Sequence, residues 1–366
     1  MNLENAGYSE NKIITELSRS NRNVWYEYTV QNSKGNTIGF LSIENALLSF
    51  DSNNTVMRTL KGTVKRSDLM NIDTLDNRIV PWFCIKFSNG DIVKWQLGVF
   101  LIDPGESCED GTSEVSLTGF DLGKIAYDDK ITSRLYIQRG SIYTSWASQV
   151  IGVDYTNIDV KSSNLTKNAD EEWEIGSRRI DISNDLLKAI NYNPVHFDEH
   201  GKCIIDSYSL PQLRPVEFQY KSDNMSIILD GVSKTSNKFD IPNKFVRYVE
   251  NVDAEYYIST YENRDDKSPF SIQNRGRTIV STASIKDIAT QAELDAYTIK
   301  CAAETMQKTD KITFRTLTMP GHGFKNCLYI NIPIYGIDDK YIETSWEMEL
   351  KPGGTMKHIC ERVISV

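Results

Sequence analysis

Period-two alternation of apolar and polar residues constrains this chain more than any other feature. Between Trp95 and Ile131 an apolar run, Leu97 to Ile102, stops at Pro104-Gly105. Proline has no N–H to give a ladder, and glycine tolerates the turn. An acidic loop follows, Glu106 to Gly111, and then a second run. That run puts Val115, Leu117 and Gly119 on one face and Ser116, Thr118 and Phe120 on the other. Similar strand patterns recur at Val24–Val30, Ile38–Phe50 and Thr55–Val64. Phe83, Ile85 and Phe87 alternate before Ser88-Asn89-Gly90-Asp91, a hairpin signal leading into Ile92–Trp95. The one-sided apolar face is weak over Thr55–Val64, which predicts neighbours on both faces or a polar space. Residues 1–130 therefore form an antiparallel β unit, a barrel or sandwich, led by a helix at 9–20. Ser9 is the expected cap of that helix, with Ile13, Ile14 and Leu17 on its inner face.

The pattern changes after residue 130. Ser141–Gly152 has helical spacing, with Ile142, Trp146, Gln149 and Val150 on one face. Asp181–Tyr192 is a second helix with Ile182, Leu186, Leu187 and Ile190 together, ended by Pro194. Val195–Phe197 and Cys203–Ile205 flank a turn at Asp198-Glu199-His200-Gly201. This makes a small α/β unit, 131–212. Residues 213–366 return to β, with strands expected at Met225–Gly231, Phe245–Asn251 and Ala254–Tyr261. One long helix, 286–308, interrupts them. Thr290 and Glu293 form a capping box there, Ala289 and Leu294 a staple, and Ile288, Ala292, Ala296, Ile299, Ala303 and Met306 a buried stripe. Leu328, Ile330, Ile332 and Ile334 then share a face, with Pro333 marking an edge or bulge. Ile342, Thr344, Trp346, Met348 and Leu350 alternate against Tyr341, Glu343, Ser345, Glu347 and Glu349.

A formal charge of −9 argues against a protein that grips nucleic acid through its phosphates. Six cysteines (Cys84, Cys108, Cys203, Cys301, Cys327, Cys360) show no CxxC pair, the expectation for free thiols in a reducing compartment. Met1–Asn11 lacks the apolar segment of a signal peptide, and no apolar run is long enough for a membrane span. Folding in a cytoplasm is expected. Sequons at Asn53, Asn164 and Asn224 then carry no weight.

The sharpest catalytic-looking match is His196-Phe197-Asp198-Glu199-His200, the H-x-x-E-H pattern of inverted zinc peptidases, with Cys203 nearby. Both histidines must face one metal from a helix. Pro194 before the motif and Gly201 after it predict a hairpin instead, so His196 and His200 are expected to be turn residues without a metal. His322, between Gly321 and Gly323, is likewise expected to be a turn residue. No nucleophile elbow, phosphate loop or dinucleotide fingerprint occurs, and no carboxylate spacing singles out a glycosidase pair. No catalytic, cofactor or metal residue is assigned, and no enzyme is expected.

Four stretches together resemble the tail hub, or baseplate hub, family of long-tailed phages and related contractile injection particles. They are Leu60–Val64 with its following hairpin; W-x-L-G-V-F-L-I-D-P leading into S-L-T-G-F-D-L; Asp185–Asp206; and Lys267–Arg277 followed by the capped helix and Met319-Pro320-Gly321. One departure stands at Gly321–Cys327, where hubs often carry a Gly-Asp turn and this chain has no aspartate. The resemblance implies an α+β, mainly β protein: two tail-tube-like antiparallel β-barrel domains, 1–130 and 213–366, with the α/β domain, 131–212, between them. It further implies a homotrimer that adapts a hexameric tube to a three-fold tail tip. DNA would pass its channel without sequence-specific binding. Expected partners are a tail tube or distal tail protein and a spike, fibre or tape-measure protein, in a virion assembled in the host cytoplasm. A tail-associated cell-wall hydrolase and a carbohydrate-binding tail-tip protein are the alternatives. With the chain ending at Val366 straight after a strand, no fused hydrolase is expected, and the six tryptophans fall mostly in strand or helix patterns rather than on a platform.

Overall fold

Helix α1 (Glu10–Leu17) buries Ile13 and Leu17 but leaves Ile14 exposed. Ser9 stands at its N-cap without a side-chain hydrogen bond, so the expected cap is not made. Glu16 anchors the helix instead. Its carboxylate accepts from Lys12 Nζ at 2.8 Å, Ser88 Oγ at 2.7 Å and the Ser88 N–H at 3.2 Å. The computed structural model describes residues 3–70, 72–105, 113–152, 157–250 and 256–364, so the acidic loop Glu106–Gly111 and Cys108 lie outside the described residues.

The first β unit contains β1 (Asn23–Gln31), β2 (Thr37–Leu41), β3 (Glu44–Asp51), β4 (Arg58–Lys65), the single turn α2 (Arg66–Leu69), β5 (Arg78–Lys86), β6 (Ile92–Gln96), β7 (Phe100–Asp103) and β8 (Glu114–Asp121). The run Ile38–Phe50 is thus two strands, and Leu97–Val99 separates β6 from β7. The hairpin at Ser88–Asp91 is made: Phe87 N–H donates to Asp91 O at 2.8 Å, and Gly90 has φ +95°. Leu117 and Gly119 point inward on β8, as alternation predicts. A Cβ on Gly119 would lie 2.9 Å from Phe100 Cβ and 3.3 Å from Leu60 Cβ, so this strand packs where only glycine fits.

The α/β unit follows with α3 (Gly123–Asp128), β9 (Leu135–Ile137), α4 (Tyr143–Ile151), β10 (Ile158–Val160), β11 (Glu171–Trp173), α5 (Arg179–Lys188), β12 (His196–Phe197) and β13 (Cys203–Ile205). It has its own apolar core, including Tyr143, Ala147, Val150, Ile180, Leu186 and Leu187. Ile182, Leu186, Leu187 and Ile190 are all buried, as their spacing predicts. The face of α4 is displaced from expectation. Val150 is buried as expected, but Ile142 is the exposed N-cap and Gln149 is exposed, while Tyr143, Thr144, Ala147 and Ile151 are buried.

The last part contains β14 (Phe218–Lys221), β15 (Ile228–Ser236), β16 (Lys244–Val249), β17 (Ile258–Glu262), α6 (Ile272–Arg275), β18 (Val280–Ile285), α7 (Gln291–Gln307), β19 (Asp310–Leu317), β20 (Cys327–Ile332), β21 (Ile337–Glu349) and β22 (Thr355–Arg362). The long helix begins at Gln291, not 286, because Thr290 caps it: Thr290 Oγ1 accepts the Glu293 N–H at 3.2 Å. The other half of the capping box is not formed. Glu293 Oε2 accepts from Asn191 Nδ2 at 2.7 Å. Ala289 packs in the α/β core and Leu294 with Val249, Ile285 and Ile288, so these two residues make no staple. The buried face of α7 is Leu294, Thr298, Ala302, Ala303 and Met306, while Ala292 and Ala296 are exposed. Thr298 tolerates burial because its hydroxyl donates to Leu294 O at 2.8 Å. Ile334 is 84% exposed, since Pro333 ends β20 and starts a 3-10 turn.

Most strands belong to one 14-stranded sheet, ordered β15-β19-β22-β21-β3-β4-β8-β7-β5-β1-β2, with β20 also on β21, β14 on β20 and β6 on β5. The chain is an α+β protein, mainly β. The β segments 1–130 and 213–366 meet in this sheet through antiparallel β3 and β21, where Phe50 pairs with Trp346 and Leu48 with Met348. They share one apolar core containing Leu48, Phe50, Leu60, Phe100, Phe314, Ile330 and Trp346. A separate three-stranded sheet, β17-β16-β18, packs against α7. Among the described residues no helix is long and apolar enough to cross a membrane.

Burial opposes the charge on Glu16, but the Lys12 and Ser88 hydrogen bonds and Arg19 outweigh it and hold its pKa down to about 2. A lowered pKa stabilises fully above the unfolded value, about 4.3, and the gain is lost as pH falls toward the folded value. Glu16→Gln is expected to cost about 1–2 kcal/mol at neutral pH. Urea melts should show variant and parent converging as pH drops through ~4 toward ~2; a gap constant over that range refutes the assignment.

Candidate functional site

The H-x-x-E-H motif lies on a hairpin, as Pro194 and Gly201 predict. His196 is paired with Ile204 in the β12–β13 ladder, and His200 sits in the turn closed by Asp198 N–H to Lys202 O at 3.0 Å. His196 is buried: its Nδ1 meets Pro194 O at 3.0 Å and its ring stacks on Phe324 at 4.1 Å. It is therefore a packing residue, not the exposed turn residue expected. His200 is exposed, with Nδ1 3.3 Å from Gln96 Oε1, so the two rings serve different neighbours. Cys203 faces the core, and burial pushes its thiol up to about 12. A thiol so protonated is a poor nucleophile or metal ligand.

His322 also departs from expectation. It is not an exposed turn residue but the centre of a buried polar cluster. Three elements build that cluster: the loop 318–326 carrying His322, β21 carrying Glu343, and β22 carrying His358. All three side chains are 0% exposed. Glu343 Oε2 lies 2.5 Å from His322 Nδ1, and Oε1 lies 2.6 Å from His358 Nδ1. The far nitrogens are held by hydroxyls. Tyr220 Oη meets His322 Nε2 at 2.7 Å, and Thr316 Oγ1 meets His358 Nε2 at 2.9 Å. The rings stack on Phe218 (4.1 Å) and Phe314 (4.6 Å). Burial pushes His322 down to about 3, Glu343 up and His358 down. Desolvation thus favours neutral groups throughout.

The sequence concealed this cluster for a specific reason. Alternation assigns Glu343 to the outer face of β21 with Tyr341 and Ser345. Yet residues 341–344 are all buried, because that part of β21 is covered on both faces, and its register shifts between Glu343 and Ser345. The loop that covers it is fastened to Glu217. Glu217 Oε1 accepts from Asn326 Nδ2, and Oε2 from the Cys327 N–H, each at 2.7 Å.

Two further buried polar groups fasten the α/β unit to the rest. Asp121, at the exit of β8, is 4% exposed. Its Oδ2 accepts the N–H groups of Met57 (3.1 Å) and Arg58 (2.7 Å), and its Oδ1 that of Gly123 (2.9 Å). Burial raises its pKa to about 6 against the pull of these bonds and of the Arg58 charge. Arg58, 2% exposed, donates Nη1–H to Phe197 O at 3.0 Å and lies 5.7 Å from the Phe50 ring centre. Arg58 is what the weak apolar face of Thr55–Val64 signalled. On the other side of the unit, Lys167 Nζ is fully buried between Glu171 and Asp287, 2.6 Å from each. Tyr143 donates to Asp287 at 2.7 Å, and Asn168 Nδ2 donates to Ile288 O and Ala289 O at 2.7 and 2.8 Å. A polar cleft of about 390 Å³ lies between the α/β unit and the last third, lined by Asp206, Tyr208, Arg214, Glu217, Glu304 and Lys308 among others.

No family model matches this chain. No curated protein matches its sequence. Solved structures do match its fold. A tail protein from Neisseria meningitidis MC58 aligns over 92% of this chain and 97% of its own, at 13% identity and TM-score 0.63. The 43 kDa tail protein of prophage MuSo2 from Shewanella oneidensis aligns over 92% and 98%, at 12% identity and TM-score 0.63. A prophage tail protein from Listeria monocytogenes EGD-e aligns over 92% and 94%, at 10% identity and TM-score 0.57. The chain has the fold of phage and prophage tail proteins, over nearly its whole described length.

Asp121→Ala removes the acceptor of three backbone N–H groups and is expected to cost about 3 kcal/mol. Urea denaturation measures the loss. Hydrogen exchange should quicken first at the amides of Met57, Arg58 and Gly123; unchanged protection there excludes the anchoring role.

Proposed function

We propose that this chain is a structural tail hub of a phage tail or phage-like injection particle, and not an enzyme. The observation that carries the reading is end-to-end correspondence with phage tail proteins, 92% of this chain against 97% and 98% of two of them. Three copies form a ring. Each contributes two tube-like β units, from 1–130 and 213–366, so that six units face a hexameric tube while the ring itself keeps the three-fold symmetry of a tail tip. The strands at the two ends of the main sheet, β2 and β15, support such assembly: each pairs on one side only within the sheet order. On β2, Ile38 is 55% and Phe40 76% exposed, apolar surface suited to contact with another chain. The net charge of −9 suits a channel wall past which DNA slides without being held. The partners of the ring are a tail tube or distal tail protein on one side and a spike, fibre or tape-measure protein on the other. Its place is the tail tip or baseplate of the virion, after assembly in the host cytoplasm.

Sedimentation of the purified chain should give a species of three times 41.7 kDa, alone or on addition of tube protein. Phe40→Lys should shift it toward monomer without changing the far-UV spectrum. A chain that stays monomeric with tube protein present and cleaves peptidoglycan is a hydrolase, and the hub reading falls. Particle images with three-fold density at the tail tip test the placement.

A further inference from the structure

With Glu343 ionised, the buried cluster of His322, Glu343 and His358 lacks one positive charge that its short contacts require. Thr316 Oγ1–H donates to Leu317 O at 2.7 Å, so the oxygen's lone pairs face His358 Nε2 at 2.9 Å and accept its proton. That fixes the neutral tautomer of His358 with a bare lone pair on Nδ1. The lone pair points at Glu343 Oε1, 2.6 Å away. Two electron-rich atoms at that separation need a cation between them, a proton or a metal ion. The second carboxylate oxygen, Oε2, lies 2.5 Å from His322 Nδ1, with that nitrogen's own proton between them. Two imidazole nitrogens and one carboxylate therefore converge, with the ligand atoms of the three residues all within 4.8 Å of one another.

We propose that this cluster is a structural site for one divalent transition metal ion of the zinc class. The donor set is two imidazoles and a carboxylate, which suits zinc rather than magnesium or calcium. The outer arrangement also fits. A histidine that binds a metal through one ring nitrogen presents the other to a fixed hydrogen-bond partner. Here Tyr220 Oη and Thr316 Oγ1 occupy those positions at 2.7 and 2.9 Å. On binding, the proton held between Glu343 and His358 leaves, and the His322 proton moves from Nδ1 to Nε2, where Tyr220 accepts it. Bonds of about 2.0–2.2 Å in a tetrahedral shell set the donors roughly 3.3 Å apart, so each Glu343–histidine contact opens by under ~1 Å while donors up to 4.8 Å apart draw together. His322 takes up this change, being the one ligand on a loop, with glycines on both sides and φ +94° at Gly321. The ion pins the loop 318–326 to β21 and β22. Full burial of the three side chains means that it enters as the chain folds and leaves slowly.

The test uses the whole chain, made without a histidine tag in zinc-supplemented medium and desalted. Metal analysis is expected to find one equivalent of zinc per chain. Glu343→Gln keeps the size and hydrogen-bonding capacity of the side chain, and should retain little or none. If that variant does not fold, Tyr220→Phe serves instead, with zinc affinity expected to fall about 10- to 100-fold. Folded wild-type protein without zinc, manganese, iron or cobalt overturns the proposal and leaves a proton between Glu343 and His358. A folded Glu343→Gln variant with a full equivalent also overturns it, since the ion is then elsewhere. Neither result bears on the tail-hub reading, which does not require a metal.

Discussion

The antiparallel pairing of β3 with β21 is the constraint on which the rest of this structure depends. These strands lie almost 300 residues apart in sequence, and their contact turns two β segments into one sheet with one core. Phe50 and Trp346 pair across it and stack at 5.8 Å between ring centres, 15° from parallel. Burial of two large aromatic side chains supplies several kcal/mol, and the offset stack about one more. That gain offsets the entropy of closing a very long loop, which grows only slowly with loop length. The α/β unit occupies the intervening chain and docks beside that sheet.

Polar groups do much of that placing. Asp121 and Arg58 lie beside the seam, and Lys167, Asp287 and Asn191 on the other side of the unit. Buried charges add little net stability when paired, since desolvation nearly cancels attraction. They are costly to misplace, because a displaced unit leaves a charge or N–H without a partner. Such contacts favour one docked arrangement over its neighbours.

Identity to the tail proteins of matching fold is only 10–13%. This is understandable from what the sheet requires. A strand buried on one face needs apolar residues at every second position and tolerates exchange among them. Close-packed points tolerate less. Gly119 against Phe100 is one, since any side chain there meets Phe100 Cβ at 2.9 Å. Fold can persist along such a pattern while identity drains away.

By itself the sequence determined the local elements. Alternation placed β1, β5, β8 and β21, the turn residues Ser88–Asp91 closed the hairpin, and the apolar spacing of α5 named its buried face. It also kept His196 and His200 apart, because Pro194 and Gly201 do not permit a helix. Only the tertiary structure decided which face of α4 and α7 is buried, since small residues such as Ala292 and Ala296 fit inside or outside equally well. It decided too that the two β segments share a sheet, because pairing between distant strands leaves no local trace. And it brought His322 to Glu343 and His358: three residues from a loop and two strands, each unremarkable in its own stretch, meet only when the loop folds over both.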